Sequence, residues 1–118
     1  FQLKLDAMEQ EEFLGEHVFT NRKNLNNGFD EESNKHFSQD DFESILDQVQ
    51  YFGIGVYKIE GWLNGLVCES ASHETFKKKA TDPKWYLKAF KTMYHRQEDM
   101  SYTATYKVSK KLLARESD

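Results

Sequence analysis

A chain of 118 residues with nine Phe, six Tyr and two Trp can fill one hydrophobic core, so neither disorder nor a second domain is expected, and residues 1–118 read as a single domain. One cysteine excludes an intrachain disulfide framework, and no apolar stretch approaches the roughly 18 residues of a membrane span. The net charge of −4 names no partner, but its distribution is uneven: residues 1–50 hold four Lys and Arg against twelve Asp and Glu, and residues 51–118 twelve against eight.

Phe1, Leu3 and Leu5 alternate with polar residues, which suits a short strand, while Asp6–Phe19 carries a thin apolar stripe of Met8, Phe13 and Leu14 that suits a helix. The start lacks the charged end and long apolar run of a secretion signal, and with a lone thiol it points to a cytoplasmic protein. The absence of an initiating Met is compatible with processing or with residues upstream of Phe1.

Asn24, Asn26, Asn27, Gly28 and Asn34 cluster between residues 21 and 34, which predicts a surface loop, because Asn bonds to its own backbone and tolerates left-handed dihedrals. A stronger helix follows. Ser38 can cap it, with Asp41 as a short capping-box partner and Phe37 as a hydrophobic staple. Phe42, Ile45, Leu46, Val49 and Phe52 then recur at helical spacing until Gly53 ends the run.

Ile54–Leu63 and Leu66–Ala71 are apolar, β-prone runs joined by Asn64-Gly65, the pair that a type I′ hairpin turn requires. Gly61 within the first arm suggests a bulge. Asp82 and Pro83 open a third helix, with Tyr86, Leu87, Phe90, Met93 and Tyr94 toward one face and Lys84, Lys88 and Lys91 largely opposite. That helix is expected to end near Arg96–Asp99. Ser101–Ser109 alternates as a half-buried strand, and Lys110–Asp118 forms at most a short helical turn. The fold class is therefore α+β: a small antiparallel sheet of three strands, or four if Phe1–Leu5 joins, with two or three helices packed mainly on one face.

Few residues suggest chemistry. Cys68 and His73, with Glu69 as a carboxylate, would make a small hydrolase or transferase if the fold brought them together, though a free cysteine on a strand is more often a small packed hydrophobe. Glu60 and Glu69 flank the turn symmetrically and would face each other across a regular hairpin. His17, His36, His73 and His95 lack metal-ligand spacing, and His36 is expected in a loop; the acidic run at residues 30–32 lacks the ligand pattern of a calcium loop, so no metal is expected. Gly53-x-Gly55 follows a helix rather than a strand, so no nucleotide cofactor is expected.

Lys77, Lys78, Lys79, Lys84, Lys88 and Lys91, interleaved with Trp85 and Tyr86, outline a nucleic-acid reading. The acidic first half opposes it. Asp30, Glu31, Asp40, Asp41, Glu43 and Asp47 outline the favoured alternative, an acidic surface for a basic protein partner, with Trp62 as an exposed anchor. Small acidic α+β chains such as immunity proteins and antitoxins act in this non-enzymatic, inhibitory way, an analogy of composition alone. A strand Ser101–Ser109 at a sheet edge would also offer pairing with a second copy.

Overall fold

The structure is a computed structural model and describes residues 9–116, so the strand expected at Phe1–Leu5 lies outside the described residues. The elements in chain order are α1 (Gln10–His17), α2 (Gln39–Phe52), β1 (Gly55–Leu63), β2 (Leu66–Ser72), α3 (Pro83–Arg96), β3 (Ser101–Lys107) and α4 (Lys110–Glu116). The strands form one antiparallel sheet in the order β2-β1-β3. The α+β class is the expected one; the helix α4 is longer than the expected single turn because buried Leu112 anchors it.

The helix boundaries follow local chemistry. Ser38 Oγ accepts a hydrogen bond from the Asp41 backbone at 3.2 Å, and Gly53 closes α2 in the left-handed region at φ 69°. Asp82 accepts from the Lys84 backbone at 2.9 Å, and Pro83 occupies the first turn of α3, where a missing N–H costs nothing. Phe42, Ile45, Leu46 and Val49 are all buried, each worth roughly 1.5–3 kcal/mol of transfer free energy.

One face of the sheet receives these helices. Tyr102 of β3 lies across Gly61 of β1, with Phe42 stacked on its ring at 5.5 Å and Phe90 meeting it edge-on at 5.0 Å. Phe13 of α1 meets Phe52 at 5.1 Å, which ties α1 to the C-terminal end of α2. Buried residues from these elements form one continuous core.

The hairpin turns at Asn64 (φ 53°) and Gly65 (φ 79°), as a type I′ turn demands. The expected bulge is present at Gly61, but the extra residue sits on the opposite strand. Trp62 pairs with Val67 and Gly61 with Glu69, so Cys68 is left over. This corrects the expected facing of Glu60 and Glu69. A regular hairpin would oppose them; the one-residue slip pairs Glu60 with Ser70 and sends the two carboxylates to opposite faces.

β3 is an edge strand whose outer side is partly occupied. Phe37 exchanges two backbone hydrogen bonds with Tyr102, at 2.9 and 2.8 Å. The Gln10 amide donates to the Tyr106 carbonyl and accepts from the Val108 N–H at 3.1 and 2.8 Å. The edge expected to pair with a second copy is thus engaged at both ends by this chain's own residues. Phe37 acts less as a staple than as a sheet extension, with its ring 5.0 Å from Phe19.

Candidate functional site

The helix-free face of the sheet carries an ordered polar row. Lys58, Glu60 and Trp62 alternate along β1 and so share that face. Glu60 accepts from the Trp62 indole at 3.0 Å on one oxygen and pairs with Lys58 Nζ at 3.2 Å through the other. A cleft of about 330 Å³ opens over the row, closed on one side by Asp30, Glu32 and Asn34 from the Asn-rich loop.

That loop is organised by its amides. Asn24 Oδ1 accepts from the backbones of Asn26 and His36, each at 3.0 Å. Asn26 donates to the carbonyls of Asp30 and Asn34 and accepts from the backbones of Gly28 and Asp30. Side-chain amides here replace the backbone ladder that a loop lacks. The result delivers two polar side chains into the interior. His36 lies in a loop, as expected, and is wholly buried there, with its ring 4.8 Å from Phe29 and 4.9 Å from Trp62. Asp30, expected on the acidic surface, is only 4 % exposed, because its carboxylate is drawn inward to His36 Nε2 at 2.7 Å.

Asp30 also accepts from the Glu32 backbone at 3.0 Å and from the Asn34 amide at 3.2 Å. Burial by itself disfavours the charged carboxylate, but the hydrogen bonds from His36, Glu32 and Asn34 outweigh it and hold the acid below its ordinary value. The other imidazole nitrogen, Nδ1, lies 3.2 Å from Ser101 Oγ. Asp30, His36 and Ser101 therefore form a continuous line from the loop to the first residue of β3. Sequence reading had no signal for this line, because His36 and Ser101 are 65 positions apart.

The remaining acidic residues lie elsewhere. Asp40, Glu43 and Asp47 are exposed along one side of α2, and Tyr51, 79 % exposed, continues the same stripe. No ion pair among the described residues involves these carboxylates. Asp41 turns partly inward and accepts from the Lys23 backbone at 3.4 Å. Glu31 is exposed on the loop, and Trp62, the expected exposed anchor, is half-buried beneath it with its N–H committed to Glu60.

Cys68 and His73 are not brought together. Cys68 is exposed at the bulge, while Ser72 closes the same extended strand roughly 13 Å further on, with His73 beyond it. His73 Nδ1 donates to the Lys78 carbonyl at 2.8 Å, and its ring packs toward Tyr57. Glu69 lies on the helix side and pairs with Arg96 at 3.3 Å. The lysines at 77–79, 84, 88 and 91 are exposed, but Trp85 and Tyr86, which would have stacked on bases, are core residues 1 % and 0 % exposed. Burial, with Asp82 and Asp47 adding to it, pushes the Tyr86 phenol up to about 12. The described residues contain no group of three or more His, Cys, Asp or Glu arranged to hold a metal, and no helix long and apolar enough to cross a membrane.

No protein-family model, curated protein or solved structure matches the chain.

Proposed function

We propose that this chain is a protein-binding module that meets a basic partner with the exposed side of α2. One observation carries the reading: Asp40, Glu43 and Asp47 line up with no ion-pair partner among the described residues, and the stripe ends in Tyr51, the most exposed large hydrophobic side chain among them, at 79 %. Carboxylates of one sign steer a basic surface toward the helix, and a solvent-facing aromatic ring supplies apolar contact at low entropic cost. The buried side of α2 is packed against the core, so the stripe is presented on a rigid element. A partner covered in this way would be closed to anionic substrates, which is the inhibitory form of the same reading. A cytoplasmic setting is supported by the exposed thiol of Cys68, which a reducing compartment preserves.

The test is recovery of partners from source-cell extract by the immobilised chain. Wild type is compared with the triple variant Asp40→Lys, Glu43→Lys, Asp47→Lys, with Tyr51→Ala, and with a control, Lys84→Glu and Lys88→Glu, on α3. The expected result is a partner held by wild type and control, lost with the triple variant, weakened with Tyr51→Ala, and released as salt shortens the screening length from about 10 Å toward 3 Å. Recovery indifferent to both the triple variant and salt overturns the reading.

A further inference from the structure

The line from Asp30 through His36 to Ser101 has a defined proton arrangement. The Asp30 carboxylate already accepts from Glu32 and Asn34 and is 2.7 Å from His36 Nε2, so that nitrogen carries the proton. A neutral imidazole then has its lone pair on Nδ1. The group beside Nδ1 is the Ser101 hydroxyl at 3.2 Å, which donates to it. Phe29 and Trp62 pack on the ring and hold its orientation. Base and carboxylate are buried, whereas Ser101 is partly exposed at the start of β3.

Ser101 also opens onto a cleft. A cavity of about 420 Å³ is lined by Ser101, Met100, Leu25, Gln39 and Asp40, with Asp99 at its margin. Gln39 and Asp40, the first residues of α2, belong to the same wall, at the helix end where backbone N–H groups have no acceptor within the helix. Ser101 thus joins this accessible space, beside the start of α2, to a buried imidazole and the carboxylate behind it.

We propose that Ser101 is a nucleophile toward small carboxylic esters, with His36 as its general base and Asp30 as the positioning residue of that base. Ser101 Oγ attacks the ester carbonyl carbon while its proton passes to His36 Nδ1. The tetrahedral adduct collapses with cleavage of the bond to the leaving oxygen, which takes the proton back from His36. Water, deprotonated by the same nitrogen, then attacks the acyl-Ser101 ester and releases the carboxylic acid with the hydroxyl restored. Which imidazole nitrogen faces the serine is immaterial, because the chemistry needs only a proton on one and a lone pair on the other. Leu25 and Met100 favour a short apolar acyl group, and the carboxylates of Asp40 and Asp99 disfavour an anionic one.

The probes are an alkyl fluorophosphonate and two aryl esters, one butyryl and one succinyl. In the wild-type chain, intact-mass and peptide analysis are expected to find one phosphonyl group, on Ser101. Butyryl ester hydrolysis is expected to exceed succinyl ester hydrolysis at least tenfold. Ser101→Ala removes only a partly exposed hydroxyl; with unchanged circular dichroism it is expected to lose the label and to reduce butyryl ester turnover about 10²-fold or more. A second variant, Asp30→Asn, keeps the serine and is expected to slow labelling by a similar factor and to alter its pH profile, while a role in stability alone leaves the labelling of folded protein intact. An unlabelled wild type, or labelling and turnover that persist in Ser101→Ala, overturns the proposal. Equal rates for the two esters overturn the assignment of the rim. The α2 partner is absent from all these assays, so their failure leaves the binding reading untouched.

Discussion

Asp30 and His36 meet at 2.7 Å where neither side chain has appreciable contact with water: His36 is wholly buried and Asp30 is 4 % exposed. They lie six residues apart in the loop that the Asn24 and Asn26 amides organise. Removing one partner leaves the other buried without its counterpart. Asp30→Ala leaves the buried His36 N–H without its acceptor and is therefore expected to cost about 1–3 kcal/mol in urea unfolding. Glu31→Ala, one residue along and exposed, is expected to change stability by less than about 0.5 kcal/mol. Equal effects at the two positions would show that the pair contributes nothing special.

Acid should act through the same carboxylate. The folded value of Asp30 lies below the ordinary 3.8 because the hydrogen bonds to its charged form overcome burial. A lowered folded value means that the unfolded chain takes up the proton first. The contribution of Asp30 is thus present above the ordinary value and is lost as pH falls through the lower folded one. Unfolding free energies followed downward from pH 5 are expected to drop more steeply in wild type than in Asp30→Asn.

At the alkaline end two phenols give the opposite sign. Burial, with smaller contributions from nearby carboxylates, pushes Tyr86 and Tyr102 up to about 12 from an ordinary 10.0. Their neutral forms favour the folded state, so stability is intact below 10 and falls as pH rises toward 12. Absorbance titration of phenolate is expected to show Tyr86 and Tyr102 ionising above the ordinary 10.0 and together with unfolding. Their ionisation at 10.0 while the chain remains folded would contradict their burial.

Gly61 accommodates Met100. A Cβ built at Gly61 would lie 2.9 Å from Met100 Sδ and 3.5 Å from the Tyr102 ring. Gly61→Val is expected to cost about 1–3 kcal/mol by overpacking. Because the thioether is flexible, the double variant with Met100→Ala should lose less than the sum of the two single changes. A double-mutant cycle by thermal or urea unfolding measures that coupling, and strict additivity would place the strain in the backbone instead.

Gln10 straps α1 to the outer edge of β3 through the Tyr106 carbonyl and the Val108 N–H. Gln10→Ala is expected to cost about 1–2 kcal/mol and to accelerate amide exchange at Val108 more than at Tyr102. Tyr102 is protected independently, through its bonds to Phe37. Uniform acceleration along β3 would argue against a local strap.

What could be read from the sequence was local. Ser38 and Gly53 bracket α2, Asp82 and Pro83 start α3, and Asn64-Gly65 makes the hairpin, because caps and turns depend on dihedrals and hydrogen bonds within a few residues. The exposed acidic positions of α2 were legible for the same reason, since helical periodicity assigns Asp40, Glu43 and Asp47 a side opposite to the apolar one. Contacts between distant segments were not legible. The bulge at Cys68 falls beside Gly61, which itself meets Met100 and Tyr102 from distant segments, and it undoes the symmetry that would pair Glu60 with Glu69. Asp30 looked like a surface charge, and nothing local marked the loop residue His36 as buried. Only the packing of Phe29, His36 and Trp62 turned them inward and set Ser101 beside the imidazole. Local propensity assigns each segment its shape, whereas burial and hydrogen bonding across the chain decide which polar groups must find partners inside.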